Sequence, residues 1–123
     1  MFKDSHVFSG FSSNDIAAAK TFYGDILGLD VTEENGMLSV RFAGGGRGII
    51  YPKPNHEPAT FTILNFPVDD VEAAVDALSA KGVAFERYPG LNQDERGIAR
   101  DDNTPPIAWF KDPAGNILAV LKA

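Results

Sequence analysis

The sequence predicts an α+β chain built from two βαβββ modules in tandem. Three observations carry that prediction. Two amphipathic helical stripes each follow an apolar strand and precede others, a proline-rich break separates them, and an internal repeat relates the two halves.

The elements can be justified in order. His6 to Ser12 reads as the first strand. Asn14 or Asp15 can accept hydrogen bonds from the free N–H groups of a first helical turn. Ile16, Ala19, Tyr23, Ile26 and Leu27 then recur at helical spacing. Gly28 ends the helix, where a left-handed residue costs little. Asp30 to Glu34 forms the next strand and turns at Asn35-Gly36, a strong hairpin signal. Leu38, Val40 and Phe42 alternate as a third strand, and after Gly44-Gly45-Gly46 a fourth covers Gly48 to Tyr51. The glycine run is no phosphate loop, because it lacks the lysine and the following helix. Pro52, Pro54 and Pro58 mark the break, since proline has no N–H for a ladder. Module one therefore covers about 5–53, the linker about 54–59 and module two about 60–123.

Module two repeats the order. Thr60 to Phe66 is a strand. Asp69 followed by Glu72 reads as a capping box, with Val71, Ala74, Val75 and Leu78 as the apolar stripe. Lys81 suits the negative end of the helix dipole, and Gly82 closes it. Strands over Val83 to Tyr88, Ile107 to Lys111 and Ile117 to Lys122 complete the module, with a long connection from Pro89 to Pro106. A shift of 55 places Phe11 on Phe66, Asp15 on Asp70, Ile16 on Val71 and Ala18-Ala19 on Ala73-Ala74. A shift of 68 places Phe42 on Phe110 and Ile49-Ile50 on Ile117-Leu118. Two matches in the same order point to duplication.

Composition bounds the function. With 44% apolar residues among 123, the chain can bury a core without disulfides or a structural metal. The absence of cysteine excludes a thiol nucleophile and a Cys-based zinc site, and it fits a cytoplasmic setting. A net charge of −6 with scattered acids offers no basic stripe for nucleic acid. No apolar run approaches a membrane span, and the first residues show no signal-peptide core. A small-molecule partner is the expectation that remains.

Three motifs carry a resemblance. Phe22-Tyr23-Gly24-Asp25-Ile26-Leu27-Gly28-Leu29, Val68-Asp69-Asp70-Val71 and Phe110-Lys111-Asp112-Pro113-Ala114-Gly115-Asn116 fall at spacings that span nearly the whole chain. Together the chain resembles the vicinal-oxygen-chelate superfamily of glyoxalases, bleomycin-resistance proteins and extradiol dioxygenases. That resemblance implies curved mixed sheets forming a cup-shaped pocket, often in a homodimer. It also implies a Lewis-acid metal held by His, Glu or similar groups at four strand positions. Carried onto this sequence, those positions read Phe8, Tyr51, Ile63 and Ala119. Phenyl, sec-butyl and methyl groups donate no lone pair, and one phenol cannot hold a divalent ion alone. Neither a metal nor a cofactor is therefore expected.

Other residues are candidates for the cup. His6 lies two residues before Phe8 and should share its face. Asn65 stands likewise to Ile63, and an amide on an apolar strand needs partners. Trp109 offers an indole that could stack on a planar ligand. His56-Glu57 in the linker has no metal-site spacing. The connection from Pro89 to Pro106, with Asp94, Glu95, Arg96, Arg100, Asp101 and Asp102, is long enough for a lid, or it is a solvated loop with local ion pairs. The expected function is binding of a small organic molecule, cationic or aromatic, in a metal-free apolar cup. Two alternatives stand beside it. One is a lyase, isomerase or dioxygenase with unusual metal ligands or none, for which His6 and Tyr51 are the nearby titratable groups. The other is a structural or regulatory partner with no small ligand.

Overall fold

Each helix of this chain packs on strands of its own unit. The computed structural model describes residues 1–123, and the chain divides into two units, Met1–Glu57 and Pro58–Ala123. The first unit runs β1 (Ser9–Ser13), α1 (Ile16–Lys20), β2 (Asp30–Glu34), β3 (Met37–Arg41) and β4 (Arg47–Pro52). The second runs β5 (Thr62–Val68), α2 (Val71–Ala80), β6 (Ala99–Asp101), β7 (Thr104–Lys111) and β8 (Ile117–Lys122). The sheet orders are β1-β4-β3-β2 and β5-β8-β7-β6. In each, the first and last strands pair in parallel and the rest antiparallel. The architecture is α+β, two mixed four-stranded sheets of one topology. No helix is long and apolar enough to cross a membrane.

In the first unit, Phe11, Leu38, Val40, Gly48 and Ile50 share the face covered by α1. Tyr23, Leu38 and Ile50 are fully buried there. Tyr23 packs against Phe11 and Phe22, with ring centroids 5.9 and 5.3 Å apart. Gly48 lies against the Phe42 ring, which a Cβ there would meet at 3.4 Å. The Asp15 carboxylate accepts from Ala18 N–H at 3.0 Å, so Asp15 rather than Asn14 caps α1. Beyond Lys20 the expected regular helix widens into a π-helical turn over Thr21–Ile26. Leu27 N–H donates to Phe22 O, five residues back, at 2.9 Å. Both Phe22 and Tyr23, neighbours in sequence, are buried there. The Asn35-Gly36 turn forms as expected, with φ of 55° and 78°.

In the second unit, Ala108, Phe110, Leu118 and Val120 form the buried face under α2, where Val71 and Val75 are also buried. Asp70, not Asp69, caps α2, accepting from Ala73 N–H at 3.0 Å. The hairpin before β8 is built around Asp112. Its Oδ1 accepts from Ala114 N–H and Asn116 N–H, and its Oδ2 from the Asn116 amide, each at 2.9 Å. Gly115 sits at φ +86°, and a Cβ there would press on Pro58 at 3.2 Å.

Three expected strands change. β1 begins at Ser9, so His6 and Phe8 lie outside the ladder. Val83 to Tyr88 is not a strand: only Phe85 bridges to Phe110, with Glu86 N–H donating to Trp109 O at 2.8 Å. The reason lies in Gln93. Its side chain accepts from Tyr88 N–H and donates to Glu86 O, at 2.8 and 2.9 Å, taking the groups that a partner strand would need. The long connection in turn supplies β6, which extends the sheet along a β7 that starts at Thr104 instead of Ile107.

Candidate functional site

The face of the second sheet turned away from α2 is set by strand alternation. Asn65 pairs with Ala119, Ala119 with Trp109, Ile107 with Leu121, and Ala99 with Ile107. These side chains therefore share one open face. A cavity of about 690 Å³ lies on it, within the roughly 300–1,000 Å³ of small-molecule sites. Its floor is Ala99, Ile107, Trp109 and Leu121, and Gly90, Leu91 and Asn92 form a wall. Arg100, Asp101, Asp102, Thr104 and Pro105 complete the lining.

The connection that carries the wall is tied down by its own side chains and by α2. Asp94 Oδ1 accepts from the N–H groups of Arg96 and Ile98, at 2.9 and 3.0 Å. Arg100 donates to Asp94 at 3.1 Å and to Glu72 on α2 at 2.7 Å. Arg96 grips Asp76 on α2 through two bonds, at 2.9 and 3.2 Å. Glu72, expected in a capping box, is thus used on the loop. Arg87 reaches the carbonyls of Asp94 and Glu95, and Gln93 also donates to Gly97 O at 2.8 Å. The hydrogen bond from Arg96 holds Asp76 below its ordinary carboxylate value.

Asp94 gives this brace a pH dependence. Burial opposes its ionisation, but the Ile98 N–H, the Arg100 guanidinium and the Arg96 N–H outweigh it, so its pKa falls below 3.8. A lowered pKa stabilises the fold above the unfolded value, and that contribution is lost as pH falls through the folded value. Asp94→Asn is therefore expected to lower the melting temperature at pH 7. The gap to the wild type should close as pH drops below 3.8. A gap that persists unchanged at the lowest pH would assign the effect to something other than the carboxylate's charge.

Charge on the rim is one-sided. Arg100 is committed to Asp94 and Glu72. Asp101 accepts only from Asn103 N–H at 3.3 Å, and neither Asp101 nor Asp102 has a salt-bridge partner. The site therefore combines an apolar floor, one indole and uncompensated negative charge at its mouth.

The expected site residues divide between the two units. Trp109 lines the cavity, and Ala119, fully buried, stands between it and the exposed Asn65. Ile63 sits half-buried at a bulge between Thr62 and Leu64, where the pairing with β8 shifts. In the first unit Tyr51 is exposed on the open face, and Ser12, not Phe8, stands opposite it. Phe8 is exposed under the Arg47 guanidinium, 4.6 Å from its ring centroid. His6 is exposed ahead of β1. His56 Nδ1 hydrogen-bonds Ser12 Oγ, tying the linker to β1. The cavity residues missed from sequence include Leu91, Asn92 and Thr104 on the connection. Their signal was the length of the connection, which marked a functional loop without saying which side chains face inward.

The donor set does not fit a divalent metal. No three His, Asp or Glu side chains converge in a group that could hold one. The four positions carried over from the resemblance offer a single phenol oxygen.

The model of the Glyoxalase/Bleomycin resistance protein/Dioxygenase superfamily matches residues 5–120. The chain belongs to this superfamily. Solved structures agree on the fold. A glyoxalase family protein from Enterococcus faecalis superposes with a TM-score of 0.73 at 22% identity, over 99% of this chain and 100% of that one. A lactoylglutathione lyase from Agrobacterium tumefaciens gives 0.71 at 19%, over 98% and 96%. TnmS3, an antibiotic binding protein from Streptomyces sp. CB03234, gives 0.67 at 24%, over 94% of each chain. At these identities the likeness is one of fold. No curated protein matches the chain. This fold thus carries chains described as an enzyme and as a binder, and the choice between them rests on the site.

Proposed function

We propose that this superfamily member binds a planar, cationic organic molecule in the open-face cavity of its second unit, without metal or cofactor. The observation that carries this reading is a cavity of about 690 Å³ with Trp109 in its floor and Asp101 and Asp102 at its rim. An indole gives a flat apolar contact, attractive to a cation over its face. The unpaired carboxylates favour positive charge at the mouth, and the net charge of −6 attracts it at longer range. An antibiotic binding protein among the structural neighbours is in keeping with this use of the fold. The homodimer stays with the resemblance that implied it and the cytoplasmic setting with the absence of cysteine, and the proposal depends on neither.

The test is a thermal-shift titration with 9-aminoacridine, a planar cation, against 2-naphthalenesulfonate, a planar anion. The cation at 100-fold its Kd should add about 2.7 kcal/mol, and the anion should add nothing. Equal shifts would remove the charge argument. Silence from a broad series of planar cations would remove the binding reading.

A further inference from the structure

The polar side of the second unit's cavity is rich in acceptors. Its polar side chains are those of Asn92, Arg100, Asp101, Asp102 and Thr104. Arg100 turns two of its nitrogens to Asp94 and Glu72. Asp101 and Asp102 offer only oxygens. Asn92 carries a donor and an acceptor, and the fold decides which of them is left. Asn92 and Arg100 stand on the two arms of a short antiparallel ribbon in which Gln93 bridges to Ala99. Arg100 N–H donates to Asn92 O at 3.0 Å. The Asn92 amide nitrogen in turn donates to Arg100 O at 3.3 Å. That second bond fixes which way the amide is turned, because a carbonyl can only accept. Asn92 Oδ1 accepts from no protein group. Asn92 is exposed and lines the cavity, which puts its amide within a ligand's reach.

We infer that the bound cation carries N–H donors, as a protonated amine, amidine or guanidine does, and that Asn92 is the residue that tells it from a fully alkylated cation. This rests on the binding reading above and narrows the ligand class within it. A primary ammonium brings three N–H donors to Asn92, Asp101 and Asp102, each with oxygen to accept them. A quaternary ammonium has the same charge and none of these donors. It would meet the carboxylates by charge alone and strip water from Asn92 Oδ1 without replacing it. A polar group left unpaired on binding is what makes a site reject an analogue. The aromatic side of the cavity supports the same choice. Quaternary cations are recognised by cages of aromatic rings, and Trp109 is the one ring in this lining.

Two probes of one ring and one charge test this: 2-(aminomethyl)naphthalene, a primary ammonium at neutral pH, and its N,N,N-trimethyl quaternary analogue. The wild type should bind the primary ammonium about tenfold more tightly, as one charge-assisted hydrogen bond implies. Asn92→Ala should remove that preference, weakening the primary ammonium about tenfold and leaving the quaternary cation unchanged. The quaternary cation thus reports the state of the wall, and a melting curve of each protein reports the fold. Equal affinities in the wild type, or a preference that survives in Asn92→Ala, overturn the inference. So does an equal loss of both probes in the variant, which would make Asn92 a prop for the wall. If neither naphthalene cation binds the wild type, the inference falls, and 9-aminoacridine then decides whether the binding reading falls with it.

Discussion

Trp109→Ala is expected to weaken 9-aminoacridine binding by about 100-fold, close to 2.7 kcal/mol, while the chain stays folded. The indole is the largest flat surface in the cavity floor, and a buried aromatic anchor carries a disproportionate share of binding energy. Its neighbours Ala108 and Phe110 face the core under α2, whereas Trp109 is half-buried on the open face. The fold therefore loses little when the indole goes. Fluorescence titration of both proteins, with a melting curve for each, separates affinity from stability. Trp109→Phe should retain most of the affinity. A Trp109→Ala variant that binds within threefold of the wild type would place the ligand elsewhere.

The largest stability effect is expected at Asp112. Asp112→Ala should destabilise the chain by about 3 kcal/mol, since bonds to a charged group contribute roughly 1.5–3 kcal/mol each and orphaned donors add a penalty. Its carboxylate accepts three bonds, from Ala114 N–H, Asn116 N–H and the Asn116 amide, in a buried turn. Asp112→Asn keeps one acceptor and should fall between the two. Urea denaturation reads the difference, and a loss under about 1 kcal/mol would mean that the backbone holds the hairpin without the side chain.

These two residues also mark how far the sequence could be read. The Asp112-Pro113-Ala114-Gly115-Asn116 hairpin, the Asn35-Gly36 turn and the caps of both helices follow local rules, so their residue types announced them. Where two adjacent acids could cap, as at Asp69 and Asp70, the sequence did not decide between them. Val83 to Tyr88 misled because its residue types, Val83, Phe85 and Tyr88 among them, suit a strand, while the competing partner was a side chain in the loop that follows, Gln93. The widened turn at Thr21–Ile26 and the bulge at Ile63 are single-residue accommodations with no local signature. At the site, Trp109 was legible as an indole on a strand. The rim was not, because which loop side chains face inward depends on ion pairs between Arg96, Arg100 and a helix some twenty residues or more away in sequence.

The braced wall has one more consequence. Its ties to α2 run between exposed side chains, whose ion pairs contribute little to global stability. Most of the floor, by contrast, belongs to the central strands β7 and β8, whose opposite face is the core. Substitutions at the exposed Leu91, Asn92, Asp101, Asp102 and Thr104 can thus reshape what the cavity admits without endangering the fold, while changes at Ile98, Ile107 or Leu121 act on the core and the sheet itself. Selectivity and foldability are carried by different positions, which leaves the first free to drift toward new ligands under selection while the second stay in place.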